Sequence, residues 1–185
     1  PDFIQADLID STYNNDNVST DLEKLDEIAS KWPGKKIQLH IMSKNPTEWI
    51  DKVKNRDLEI FFHQNDGQNP MQVKNNFAEL NIGIVVEHDN TEAELKNIIQ
   101  AFSNIMILCI EKAGESGQEF SNKYDPIIKK LIDLTKNKNN KITLDGGMTP
   151  NIASKYNVAE VVTASSVLGN PKSKLQIINF QTSQK

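Results

Sequence analysis

Apolar residues in this chain recur with two alternating periods. Short runs rich in β-branched and aromatic residues occupy 3–9, 36–42, 58–63, 82–86, 105–110, 141–144 and 161–164, and they read as strands. The segments between them follow the helical period. Leu22, Leu25, Ile28, Ala29 and Trp32 recur on one helical face, and Thr20 with Glu23 predicts a capping box ahead of them. Asn45-Pro46 opens a helix carrying Trp49, Ile50 and Val53; Met71, Val73 and Phe77 mark a third. Thr91 with Glu94 caps a fourth, carrying Leu95, Ile98, Ile99 and Phe102, and Asp125-Pro126 opens a fifth with Ile127, Ile128, Leu131 and Leu134. Two more follow Thr149 and Lys172. Trp32 and Trp49 are expected in the core.

Strand-helix alternation of this kind means parallel strands joined by crossover helices. The strands are continuous apolar runs, as expected when both faces are covered. About seven strand-helix units are legible, one short of a closed (β/α)8 barrel. A doubly wound open sheet is the competitor, but the glycine fingerprint after its first strand is absent. The 185 residues are read as one barrel domain spanning 1–185. The chain begins Pro1-Asp2 and enters a strand at once, which suggests a fragment or processed chain with sequence lost upstream.

Composition excludes several classes. A net charge of -4 argues against a nucleic-acid surface. The basic stretch 136–141 alternates Lys with Asn and reads as a solvated loop. No apolar run approaches the roughly 18 residues of a membrane span, and no signal-peptide pattern opens the chain. The single cysteine, Cys109, lies within an apolar run and reads as a buried thiol in a reducing, cytoplasmic setting.

Chemistry concentrates at the ends of strands, where barrels carry it. In Leu144-Asp145-Gly146-Gly147-Met148-Thr149-Pro150, a strand ends in a carboxylate, two glycines and a helix start. The glycines leave backbone N–H groups able to approach an anion. Asp7 and His40 interrupt their strands, and alternation sets Gln5 with Asp7, and Gln38 with His40, on one face. A carboxylate beside a phosphate cradle suggests proton chemistry on a sugar phosphate.

With these motifs the chain resembles the ribulose-phosphate 3-epimerases and their hexulose-phosphate relatives. Asp7-Leu8-Ile9-Asp10 is like D-x-M-D-G. Leu39-His40-Ile41-Met42 followed by Asn45-Pro46 is like H-L-M-V-x-x-P. Gly114-Glu115-Ser116-Gly117-Gln118-Glu119-Phe120 is like G-F-G-G-Q-x-F, Leu144-Asp145-Gly146-Gly147 is like V-D-G-G, and Thr163-Ala164-Ser165-Ser166 is like the late G-S segment. The resemblance implies a (β/α)8-type barrel whose first βα unit is missing from this chain. It implies interconversion of D-ribulose 5-phosphate and D-xylulose 5-phosphate, or a close ketose-phosphate pair, through an enediolate.

By position, Asp7 and Asp145 become the two acid/base groups. Gln5, Asp7, His40 and Asp145 become the ligands of a divalent metal (Zn, Fe, Mn or Mg). His40, Gly114, Glu115, Ser116, Gly117, Gly146, Gly147, Ala164 and Ser165 become substrate and phosphate contacts. A phosphorylated sugar is the expected partner, and a homo-oligomer is compatible with the resemblance. The chain departs from the family pattern at several places. Gln5 replaces a ligand histidine, a change that lowers metal affinity and favours harder ions. Ile9 and Cys109 replace methionines, Glu115 enters the phosphate segment, and Ala164 replaces a glycine. Asn65 replaces a glutamate two residues after His63, leaving His63 a structural hydrogen-bonding role. Two further readings stay open. One is a non-catalytic barrel that binds a phosphorylated ligand or a protein. The other is a decarboxylase-type enzyme, for which Lys112 is the only candidate lysine.

Overall fold

A computed structural model describes residues 1–65, 67–168, 171–172, 177 and 179–180. They form two compact units, Pro1–Val85 and Val86–Lys185.

In the first unit, β1 (Phe3–Ile9), β2 (Lys36–Met42), β3 (Glu59–His63) and β4 (Asn81–Val86) run parallel in sequence order. Helices α1 (Glu23–Lys31), α2 (Pro46–Val53) and α3 (Pro70–Asn76) join them. The registers set Asp7 beside His40, and His40 beside Phe61. Leu39, Ile41, Ile60, Phe61, Phe62 and Ile84 are fully buried, so β2 to β4 are covered on both faces. One face of the sheet carries a polar column through this apolar setting. At its lower end Gln38 Nε2 donates to Glu59 Oε2 at 2.6 Å, and Lys36 Nζ pairs with the same oxygen at 2.6 Å. The ion pair offsets the desolvation of a carboxylate that is completely buried.

The expected capping box at Thr20 does not form. Helix α1 starts at Glu23, whose backbone N–H is taken by the Asp21 carboxylate at 3.0 Å instead. An Asx turn places its acceptor two residues from the donor, and here it outcompetes the box. Trp32 is also not in the core. It is 44% exposed, because α1 ends one residue earlier and the chain turns away. Trp49 is half-buried, with its indole N–H on Asp10.

In the second unit, β5 (Asn104–Leu108), β6 (Lys141–Asp145) and β7 (Glu160–Val161) are parallel neighbours. They alternate with α4 (Glu92–Ala101), α5 (Asp125–Thr135) and the short α6 (Pro150–Ala153). The capping box at Thr91 and Glu94 is present in both directions. Thr149 caps α6 by accepting from the Ile152 N–H, with Pro150 at the first helical position. Leu95, Ile99, Phe102, Ile105, Met106, Ile107, Ile128, Leu131 and Leu144 make the core. Residues 136–139 are exposed as expected, and Asn140 closes this loop by donating to Ile99 O and Phe102 O at 2.9 and 2.7 Å, whereas Lys141 enters β6 and pairs with Glu160.

β7 is shorter than the 161–164 run predicted. The chain turns at Ala164, whose carbonyl accepts from Val167 and Leu168. Of the helix expected after Lys172, only Ile177, Asn179 and Phe180 are described, and they are helical. Among the described residues no helix is long and apolar enough to cross a membrane.

Candidate functional site

The first unit gathers Gln5, Asp7 and His40 within the paired strands β1 and β2. His40 is completely buried, whereas the Asp7 side chain is half-exposed. The Nδ1 of His40 lies 3.6 Å from Asp7 Oδ1, and Gln5 Nε2 donates to the same oxygen at 3.2 Å. Desolvation opposes ionisation of Asp7. The hydrogen bond and positive field of His40, with the Gln5 amide, outweigh it and hold the carboxyl below its ordinary value. Asp7 is therefore a carboxylate near neutral pH. It faces an imidazole across a gap bounded by oxygen and nitrogen donors, which is the ligand chemistry of a borderline or hard divalent ion.

His63 completes this cluster. Its ring stacks on His40 with centroids 5.0 Å apart, and the two Nε2 atoms approach to 2.9 Å. On its other side His63 Nδ1 lies 3.4 Å from the Tyr13 hydroxyl. The structural role expected for His63 is thus a contact with the candidate ligand His40. The sequence signal was the strand period: His63 lies on the same face as Glu59, at a strand end, as His40 does with Gln38.

Just beyond β1, Asp10 is buried and collects four hydrogen bonds. Thr12 N and Oγ1 donate to Oδ1 at 2.9 and 2.5 Å; Ser43 Oγ and Trp49 Nε1 donate to Oδ2 at 2.5 and 2.8 Å. This carboxylate ties the turn after β1 to the start of α2. The sequence places Asp10 at the end of the Asp7-to-Asp10 motif, among the polar residues at strand ends, without giving it this role.

The second unit brings its three glycine- and serine-bearing loops together. Asp145 ends β6, and its carbonyl accepts from Cys109 N at 2.6 Å. Gly146 and Gly147 follow at φ +94° and +65°. A Cβ on Gly146 would fall 2.7 Å from Ile110 Cγ2, so the β6 loop lies against the end of the β5 region. Thr163 and Ser166 donate to Met148 O at 3.3 and 2.8 Å, joining the loop after β7 to the same place. Ala164 and Ser165 are exposed on that loop.

The loop after β5 is shaped by Gln118, which sequence reasoning passed over within the G-x-x-G-Q run. Its amide donates to Lys112 O and Glu115 O at 2.6 and 2.7 Å and accepts from Lys112 N at 3.1 Å. Gly114 and Gly117 turn at φ 78° and 80° inside this clasp, and Ser116 is exposed. The Glu115 carboxylate lies 3.7 Å from Lys112 Nζ, which offsets part of its charge. Cys109 is buried and its thiol is pushed far up by desolvation and by the Asp145 charge, so it is inert. His88 is exposed on its loop, edge-on to Tyr124.

The fold has clear counterparts among solved structures. Tryptophan synthase from M. tuberculosis, in its open form with BRD0059 bound, superposes with a TM-score of 0.57 at 11% identity, over 98% of this chain and 80% of that one. The aminoacrylate-bound form gives 0.55 at 11% identity, over 99% and 80%. The aminoacrylate- and BRD0059-bound form gives 0.54 at 12% identity, and there the match covers 82% of this chain and only 62% of the other. At such identities the likeness is one of fold. The chain is a parallel α/β protein of the (β/α)8-barrel type, with seven strands among the described residues. The model of the ribulose-phosphate 3 epimerase family matches residues 1–168, and the chain belongs to that family. No curated protein sequence matches it significantly.

Proposed function

We propose that this chain is a sugar-phosphate 3-epimerase that interconverts D-ribulose 5-phosphate and D-xylulose 5-phosphate by two-base proton transfer. Membership of the epimerase family over residues 1–168 carries the reading. An ionised Asp7 in the C-terminal half of β1, held by His40 and Gln5, supports it.

Asp7 and Asp145 are the proposed acid/base pair. One carboxylate removes the proton next to the substrate carbonyl, and the other, protonated, returns one on the opposite face of the planar enediolate. In this reading Asp7, His40 and Asp145, which the family resemblance aligns with ligand positions, would offer carboxylate and imidazole donors to a divalent cation, with the Gln5 amide oxygen as a fourth donor. When bound, the cation contributes Lewis-acid neutralisation of developing negative charge. Gly114, Glu115, Ser116, Gly117, Gly146, Gly147, Ala164 and Ser165 are the proposed phosphate contacts, mainly through backbone N–H groups, and His40 is a further substrate contact. The enzyme is set in the cytoplasm, where a buried reduced thiol such as Cys109 is at home.

A second reading, a non-catalytic barrel that binds a phosphorylated ligand, draws support from the Gln5 amide nitrogen on Asp7 and from the Glu115 carboxylate in the phosphate loop. One assay separates the two. The chain is incubated with ribulose 5-phosphate and Mn²⁺ or Zn²⁺ in deuterated water. Incorporation of deuterium at C3 with formation of xylulose 5-phosphate supports the epimerase. Saturable ligand binding without exchange supports the second reading and overturns the first.

A further inference from the structure

We infer that a cleft of the first unit, which includes neither Asp7 nor His40, is a binding site for a zwitterion with an aromatic body, the chemistry shared by free aromatic amino acids and their dipeptides. The inference is independent of the proposed epimerase reaction.

The cleft holds about 700 Å³ and lies between α1 and the turn that follows α2. That is the size of a small-molecule site. It opens at Lys36 and Glu59, the first residues of β2 and β3, at the strand ends opposite the loops of the candidate site. Leu25, Ile37 and Leu58 are buried and give it an apolar floor. Trp32, 44% exposed at the end of α1, gives one wall an aromatic surface. A large ring left in water beside an apolar floor can be covered by a second ring, and such ring pairs add to what burial alone contributes.

Charge decides what else the occupant carries. The lining has three cations, Lys35, Lys36 and Arg56, and three anions, Asp26, Asp57 and Glu59. Four of the six are already paired with each other. Arg56 Nε and Nη2 each donate to one Asp26 oxygen at 3.0 Å, and Nη1 donates to Lys52 O at 3.3 Å. Lys36 Nζ lies 2.6 Å from Oε2 of the fully buried Glu59. The side chains of Lys35 and Asp57 have no hydrogen bond or ion pair among the described residues. One ammonium and one carboxylate are therefore left to meet a ligand. A purely anionic or purely cationic molecule would answer one and desolvate the other without compensation, and a neutral apolar one would do so to both. A ligand with a carboxylate and an ammonium answers both. In a free amino acid these groups sit on one carbon. In a dipeptide a peptide unit separates them, so the spacing of Lys35 and Asp57 selects between the two.

The test is a titration of the full chain with L-phenylalanine and with the dipeptide Phe-Ala, followed by calorimetry and nitrogen-15 NMR. At least one of the two should bind saturably with a Kd of roughly 0.1–1 mM, and the tighter one identifies the source. The Trp32 indole N–H should shift, while the Trp49 indole, bonded to Asp10, stays in place. Phenylpropionate and phenethylamine, which each keep the ring and one charge, should bind at least about 5-fold more weakly. Lys35→Met and Asp57→Asn should each weaken the tighter zwitterion about 5- to 10-fold, and Trp32→Ala about 10-fold or more. No saturable binding of either zwitterion overturns the inference. So does equal binding of a singly charged analogue, or a shift at the Trp49 indole in place of Trp32. A Trp32 shift that follows protein concentration rather than ligand also overturns it, because a second copy of the chain then covers this face. The analogue series and the indole readout use the unaltered protein, so they decide the matter even if a variant fails to fold.

Discussion

A Cβ on Gly147 would fall 2.1 Å from the backbone nitrogen of Phe120, inside any tolerable contact. The glycine also sits at φ +65°. The loop after β6 can therefore lie against the chain that follows the Gln118 clasp only while position 147 has no side chain. Gly147→Ala should destabilise the protein by roughly 2–4 kcal/mol, a left-handed penalty added to a backbone clash. Gly117→Ala, at a similar φ but with nothing within 4 Å, should cost only about 1 kcal/mol. Urea denaturation of the pair checks both; equal losses would mean that the β6 loop relaxes freely.

The two Thr-x-x-Glu motifs give a contrast on helix starts. Thr91 caps α4 and Thr20 caps nothing. Thr91→Ala should lower stability by about 1 kcal/mol, and Thr20→Ala should stay within about 0.5 kcal/mol of wild type. Thermal melts monitored by circular dichroism measure the difference.

Asp10 holds two loops through four donors, and this makes stability depend on pH in a defined direction. Desolvation raises its pKa, but the bonds from Ser43, Thr12 and Trp49 outweigh it and hold the folded value below the ordinary one. A depressed folded pKa contributes stability that is present above the unfolded value of about 3.9 and lost as pH falls through the folded one. Wild type should lose more stability than Asp10→Asn between pH 5 and pH 3, as read from urea midpoints. Asp10→Ala should cost about 2 kcal/mol at pH 7, since the buried Ser43 hydroxyl and the half-buried Trp49 N–H lose their acceptor.

For the proposed chemistry, Asp7→Asn and Asp145→Asn should each lower C3 proton exchange by roughly 10²- to 10⁴-fold, with phosphate-ligand affinity little changed. Undiminished exchange in either variant would remove that aspartate from the mechanism.

The Gln118 clasp should matter for binding more than for the proton step. Gln118→Ala releases Lys112 and Glu115, so backbone amides across 112–117 should exchange faster with deuterium. KM for the phosphorylated substrate should rise several-fold while kcat stays near wild type. A fall in kcat alone would place the clasp elsewhere in the cycle.

Sequence by itself determined the strand-helix order and most strand positions. β1 and β2 coincide with the apolar runs 3–9 and 36–42, because a β-rich run bounded by turn residues encodes its own extent. It also determined that Asp7 and His40 would share a face with Gln5 and Gln38, since the strand period is two. The ordered motifs carried the family. Tertiary structure alone decided the contacts that depend on register between strands. His63 meets His40 because β3 pairs with β2, and no local pattern states that offset. Trp32 left the core because its helix stopped one residue before it. Asp10 became a hub because Ser43 and Trp49 arrive from another loop and helix. Periodicity records which way a side chain points, while the partner it finds is set by how distant segments align.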